Sequence, residues 1–314
     1  TPDTFKTVRR LMTCLNLQTA RDRLEILFVC PVIRDLDPDN AILENFGNVR
    51  FVEVGTIHST AQARAAGVEA ATAPIVVLTE DHCLPEPDWA EALIGAHHQG
   101  WDGVGPVVLN GNPHTNTSWA NFLSEYNEWL DPHPGGRVRH LPGHNSSFKR
   151  DILLGYGHEL GMWFESESVL HWDMAKKGYR FTVEPAAKSR HLNYSLFFIS
   201  IALRFGIGRI FAGLRAHNWS YMHRLFYTLA SPLIPFVRLR RILRELRKPG
   251  RPRTLIPRVL PCLMIFLLSD GIGQMVGYAF NMGDASRKVM RTDFHRERYM
   301  NARDRHELEN AFRP

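Results

Sequence analysis

Glu80, Asp81 and His82 place two carboxylates and an imidazole directly after the apolar run Ile75-Val76-Val77-Leu78. That set suits a hard divalent cation, Mn²⁺ or Mg²⁺, and an ion bridging two phosphates there would neutralise a departing diphosphate. A short apolar run bounded by proline and acidic residues reads as a strand of a parallel sheet, and ligands sit beyond the carboxyl ends of such strands. The plainer alternative is an acidic loop capping the following helix. A second acidic group lies in Met162-Trp163-Phe164-Glu165-Ser166-Glu167, ahead of a helix. A carboxylate partly enclosed by Trp163 and Phe164 can have its proton affinity adjusted towards general-base work, whereas the plain reading is electrostatic support of a helix N-terminus. Gly143-His144-Asn145-Ser146 offers donors and acceptors on a flexible backbone, as a pocket for a polar ligand requires, or else forms an ordinary polar turn. Arg64 carries a guanidinium that suits phosphate, set against the alternative of a solvated helix face.

The elements that must position these groups alternate between helix and strand periods. Phe5, Val8, Leu11, Met12 and Leu15 form a helical stripe, residues 25–30 and 49–54 read as strands, and residues 60–71 are Ala-rich and helical. A strand at 75–79, a helix over 87–98, a strand at 103–109, a helix over 118–130 and a strand at 181–184 complete the series. The expectation is an α/β fold, a mostly parallel sheet flanked by helices, occupying residues 1–191.

The chain has 314 residues, enough for one large or two smaller domains, and its four cysteines form neither a CxxC pair nor a plausible disulfide framework. A reducing, cytosol-facing location follows. No initiator Met or signal peptide opens the sequence, which leaves room for a missing upstream strand. Residues 1–191 carry 17 Lys+Arg against 24 Asp+Glu, net −7, while residues 192–314 carry 21 against 8, net +13. Nine of the basic residues fall between Arg238 and Arg258 beside apolar segments, which suits an anionic membrane surface; no nucleic-acid motif accompanies them. Residues 192–254 read as basic amphipathic helices, with Arg204, Arg209 and Arg215 spaced along an interfacial one. Residues 255–281 read as an apolar helix that spans, re-enters, lies on the surface or packs as a soluble helix, with Gly273 and Gly277 in GxxxG spacing, and residues 282–314 as a charged tail.

Several motifs in order, Leu11–Gln18, Glu25–Val29, Ala61–Gly67, Glu80-Asp81-His82 and Pro142–Arg150, resemble the family 2 glycosyltransferases of GT-A fold. The resemblance implies transfer of a sugar, with inversion, from a nucleotide-sugar donor to a carbohydrate or lipid-linked acceptor at the cytosolic face of a membrane, with a divalent metal at the DxD-like position. It assigns donor contacts to Arg64, Glu80, Asp81 and Asp3, metal ligation to Asp81, His82 and His191, and the acceptor or sugar pocket to His144, Asn145 and Trp163. Glu167, 11 residues before Gly178, corresponds to the second acid of the family's acidic pair and is the expected base, with Glu165 its competitor. The chain departs from the pattern in having Glu-Asp-His for Asp-x-Asp, Ser166 for the first acid, and Cys30-Pro31 where an Asp often meets the nucleobase. Those departures keep two alternatives open: a nucleotidyltransferase of the same fold, and a non-catalytic glycan-binding or membrane scaffold protein.

Overall fold

The computed structural model describes Thr1 and residues 4–312, which form two compact units: Thr1–Leu109 with His133–Arg190, and Asn110–Pro132 with the described residues from His191 onward. Along the chain run α1 (Arg9–Asn16), β1 (Glu25–Cys30), α2 (Asn40–Leu43), β2 (Asn48–Glu53), α3 (Thr60–Ala70), β3 (Ile75–Leu78), β4 (Cys83–Pro85), α4 (Trp89–His98) and β5 (Gly103–Asn110). They are followed by α5 (Asn116–Tyr126), β6 (Gly136–Val138), β7 (Ser146–Lys149), α6 (Arg150–Leu154), α7 (Leu160–Trp163), α8 (Glu167–Lys176) and β8 (Phe181–His191).

The first unit is α/β, with helices flanking its sheets, and its strand directions are more mixed than the parallel expectation. β1 and β2 form a parallel pair, Glu25 opposite Asn48 through Cys30 opposite Glu53. The larger sheet has the order β3-β7-β5-β8-β4 with β6 on β8, and β7 runs antiparallel to both β3 and β5. The difference has a physical source. β7 reads Ser-Ser-Phe-Lys, which carries no apolar run, yet it lies between two apolar strands, and the buried Ser147 hydroxyl donates to the Val104 carbonyl at 3.2 Å. An apolar run reports burial on both faces and says nothing of direction.

Two cores cover this unit. Phe5, Leu11, Met12 and Leu15, the stripe of the N-terminal helix, pack with Phe28, Trp89 and Leu93. Ala61, Ala65 and Val68 of α3 pack with Leu78, Phe148, Leu160, Phe164 and Phe181. The small side chains of α3 let α7 come close, so a Cβ placed on Gly161 would lie 3.7 Å from the backbone of Gln62. Ser59 starts α3 by accepting a hydrogen bond from Gln62 N at 3.2 Å. All four cysteines are free thiols.

The second unit is helical: α5, α9 (Phe197–Arg215), α10 (Tyr221–Ala230), α11 (Ile234–Leu246), α12 (Ile256–Phe280), α13 (Ala285–Asp293) and α14 (Ala302–Ala311). Residues 110–132, expected in the catalytic domain, belong here because α5 packs on α12 and α9. α9 and α12 approach closely, for a Cβ on Gly208, Gly273 or Gly277 would collide with a backbone carbonyl of the other helix. The GxxxG spacing thus serves an internal contact.

Arg204 and Arg215, two of the three arginines expected on an interfacial α9, are held by groups of the helical unit instead. Arg204 is 2% exposed, paired with Glu125 at 2.7 Å and donating to Asn121 at 2.9 Å, while Arg215 donates to the Tyr278 hydroxyl at 2.9 Å. Apolar neighbours on α9 made the helix look amphipathic towards a membrane, but the acceptors that satisfy its charges come from elements distant in sequence. Residues 282–314 form packed helices over their described part rather than a tail. Asp304 is buried and accepts from Asn112 Nδ2 at 2.9 Å, and Leu308 is buried.

Candidate active site

β3 ends at Leu78, and the turn that follows presents Thr79 to His82. From α3, Arg64 reaches this turn and binds Glu80 and Glu167 directly, one guanidinium nitrogen to each carboxylate. The His144 ring joins them, its Nδ1 3.0 Å from Arg64 Nη2 and 2.8 Å from Glu80 Oε1. On the other side His82 stands between two acids, Nε2 2.7 Å from Glu80 Oε2 and Nδ1 2.7 Å from Asp81 Oδ1. Five predicted residues, Arg64, Glu80, Asp81, His82 and His144, thus meet Glu167 in one network spanning over 100 residues of sequence.

Glu80 is the hub. Burial alone would push its proton affinity up, but the adjacent His144 and His82 outweigh that and hold the carboxyl well below the usual carboxylate range. An anion enclosed by cationic and imidazole donors in this way is a fixed point of charge, which is what a phosphate-handling site needs to orient a guanidinium.

The Gly143 turn fits closely around Glu167. A Cβ at Gly143 would stand 3.2 Å from Glu167 Oε2, so the glycine leaves the carboxylate room. Asn145 follows in a left-handed conformation, φ 58°, which asparagine tolerates better than most residues. Its N–H donates to the Leu78 carbonyl at 2.7 Å and its Oδ1 accepts from Thr79 at 2.6 Å. Its Nδ2 is buried with no hydrogen-bond partner among the described residues. A buried amide donor left open in this way costs stability unless something accepts from it.

Trp163 packs edge-on against Tyr156, ring centroids 5.7 Å apart. Glu165 lies in the turn before α8, its N–H donating to the Met162 carbonyl at 3.1 Å, while Glu167 is the helix's first residue. His191 belongs to the helical unit. There Arg296 Nη1 lies 3.1 Å from its Nε2, Asn193 Oδ1 lies 2.8 Å from its Nδ1, and its ring packs on Tyr126. Because a guanidinium can only donate, Nε2 accepts and Nδ1 carries the proton. Asp3 lies outside the described residues.

Sequence reasoning passed over Cys83. Cys83 is buried beside the motif, and its sulfur lies with ligand atoms of Glu80 and His82 in a group within 4.8 Å. Its adjacency to the acidic motif was the available signal. Gly143 was readable only as part of a flexible polar turn, because its contact with Glu167 is purely tertiary.

A sheet flanked by helices, with an acidic strand end facing a basic residue on the neighbouring helix, is the arrangement of a GT-A-type transferase. Residues 5–157, just under half of the chain, match the model of glycosyl transferase family 2. A curated relative, the glucosyl-dolichyl phosphate glucuronosyltransferase of Haloferax volcanii, is 33% identical over 105 residues. That match covers 30% of this chain and 32% of the relative, so the chain matches about a third of the relative's length. Among solved structures, the mannosyltransferase PcManGT from Pyrobaculum calidifontis, in complex with GDP-Man and Mn²⁺, aligns with a TM-score of 0.55 at 16% identity. The alignment covers 87% of this chain and 84% of that one, which establishes the likeness of fold.

Proposed function

We propose that the protein is an inverting glycosyltransferase that moves a hexosyl group from a nucleotide-sugar to a lipid-linked acceptor at the cytosolic face of a membrane. The observation that carries this reading is the single Arg64 guanidinium shared by Glu80 and Glu167 beside His144. A diphosphate entering the site competes for Arg64, because guanidinium binds phosphate oxygens as readily as carboxylate. Glu167, relieved of that partner, is then placed to accept a proton. The acceptor oxygen attacks the anomeric carbon as the bond to the diphosphate breaks; the nucleoside diphosphate departs with the bonding pair, and the acceptor's proton passes to Glu167. The open Nδ2 of Asn145 suits a sugar hydroxyl.

The donor set fits a divalent cation. Glu80, Asp81 and His82 supply hard oxygens and an imidazole at one strand end, with His82 already bridging the two carboxylates. When bound, Mn²⁺ or Mg²⁺ would supply charge neutralisation of the leaving diphosphate. The lipid-linked acceptor is supported by the partial likeness to an enzyme named for a dolichyl phosphate sugar, and the membrane by the basic, apolar character of residues 192–314.

The test is a thermal-shift screen of nucleotide-sugars with and without Mn²⁺, followed by transfer assays on a polyprenyl-phosphate sugar. At least one donor should stabilise the protein only with metal, and Asp81→Asn should weaken that response without unfolding the chain. A folded protein that binds no nucleotide-sugar at any metal concentration would refute the proposal.

A further inference from the structure

The helical unit carries a contiguous set of large apolar side chains that its own packing leaves in solvent. Along α10 and into α11, Met222, Phe226, Leu229, Leu233, Phe236 and Val237 are exposed, Leu229 by 73% and Phe226 by 65%. Their spacing of three to four residues along α10 puts them on one face. On α12, Ile265, Leu268 and Ile272 are exposed too, and the junction is tight, since a Cβ on Gly271 would lie 2.9 Å from Pro235. The two strips therefore adjoin. An apolar surface of this extent on one side of a protein marks an interaction site.

Charge indicates the occupant. After Val237 the exposed residues of α11 and of the turn that follows it become basic, Arg240, Arg241, Arg244, Arg247 and Lys248, so the segment passes from apolar to cationic along its length. Arg238 and Arg251 are not part of this ladder. Arg238 pairs with Asp270 at 2.6 Å, and Arg251 is buried, donating to the Leu130 carbonyl. An apolar tip continuous with exposed arginines matches hydrocarbon beneath anionic phosphates, with long side chains reaching up to the headgroups.

The same packing argues against α12 crossing the bilayer. α12 and α9 are both long and apolar enough to cross by length and composition, but α12 is clasped along one side by α9, α5 and α11. A crossing would carry with it the Asn121, Ser124 and Glu125 side chains of α5 and the exposed arginines of α11, all of which need water or headgroups. Resting on the membrane reading above, we infer that α10, the start of α11 and the middle of α12 form a seat that enters one leaflet of an anionic bilayer in the plane of the membrane, with no segment of the described chain crossing it.

The full chain is labelled with a nitroxide at one position at a time, F226C, V237C or L268C, mixed with phosphatidylcholine vesicles with or without phosphatidylglycerol, and read by oxygen and nickel-complex accessibility. All three labels should lie in the hydrocarbon of the contacted leaflet, and ascorbate added outside should reduce every one of them. L229D/F236D, both on the surface, should cut flotation with phosphatidylglycerol vesicles at least tenfold while leaving metal-dependent donor binding intact. Labels at position 268 protected from ascorbate and lying at the bilayer midplane would overturn the in-plane seat while leaving membrane attachment standing. Labels that stay aqueous while the protein still transfers sugar to a short-chain soluble acceptor would overturn the seat and leave the transferase reading untouched.

Discussion

In the sheet unit one guanidinium, Arg64, serves two carboxylates, Glu80 and Glu167, with His144 close by. In the helical unit two buried or half-buried cations have their own acids, Arg204 with Glu125 at 2.7 Å and Arg238 with Asp270 at 2.6 Å. A matched pair inside a protein is self-contained: its charges cancel, and a further ion gains little by approaching. A shared cation leaves acid in excess around a group that binds phosphate, so both a diphosphate and a divalent metal have something to gain. The comparison separates charges that hold a fold from charges that await a ligand.

The largest expected effect falls on the shared side. Glu167→Gln should lower transfer by roughly 10²–10⁴-fold, the usual contribution of a general base, with donor affinity kept because Arg64 and Glu80 remain. Single-turnover transfer alongside donor titration separates the two. An active Glu167→Gln with a dead Glu165→Gln would give the base role to Glu165.

On the matched side, Asp270→Asn should cost about 3–5 kcal/mol by stranding Arg238, and the double replacement R238M/D270L should recover most of that loss. Denaturant unfolding of the three variants measures it. No recovery in the double variant would mean that the Gln274 hydrogen bond to Asp270 Oδ1, at 2.6 Å, carries the stability instead.

What the sequence made legible follows the same division. The acidic strand end was readable because its motif is short and its chemistry is carried by residue type, whereas Arg64 on its Ala-rich helix and Glu167 at the start of α8 were readable through the resemblance to a family pattern. The direction of β7 was not, because Ser-Ser-Phe-Lys becomes a central strand only through the neighbours on either side of it. Nor was the inward turn of Arg204, since its partners Asn121 and Glu125 are about 80 residues away and periodicity sees one helix at a time. The transfer of residues 110–132 to the helical unit has the same cause: α5 shows an apolar face, but only packing decides which core covers it.

A third effect, of intermediate size, probes a buried group outside both sets. Burial, and after it the charge of His140, push the His171 imidazole down to about 3, and its ring stacks on Phe148 at 5.4 Å. The folded value lies below the unfolded one, so the contribution is intact above about pH 6.5 and is lost as pH falls towards the folded value. Each pH unit in that window should cost about 1.4 kcal/mol, or about 2 kcal/mol by pH ~5. His171→Gln should flatten that slope in denaturant titrations at several pH values; an unchanged slope would place the acid sensitivity elsewhere.

The smallest effect tests whether helix starts position function differently in the two units. Ser59 accepts from Gln62 N at 3.2 Å to start α3, and Ser220 accepts from His223 N at 3.4 Å to start α10. Either serine changed to alanine should cost about 1 kcal/mol, the usual worth of such a cap. Arg64, in the second turn of α3, is pinned by Glu80 and Glu167 whatever the helix start does, so Ser59→Ala should lower the melting temperature and leave donor affinity unchanged. α10 has exposed apolar residues along its outer face and, among the described residues, no acid paired with its first turn, so fraying at Ser220→Ala should show up as weaker flotation with anionic vesicles. Measured together, a loss of donor affinity in Ser59→Ala with unchanged flotation in Ser220→Ala would reverse the contrast, making the first turn of α3, rather than the two carboxylates, the element that places Arg64.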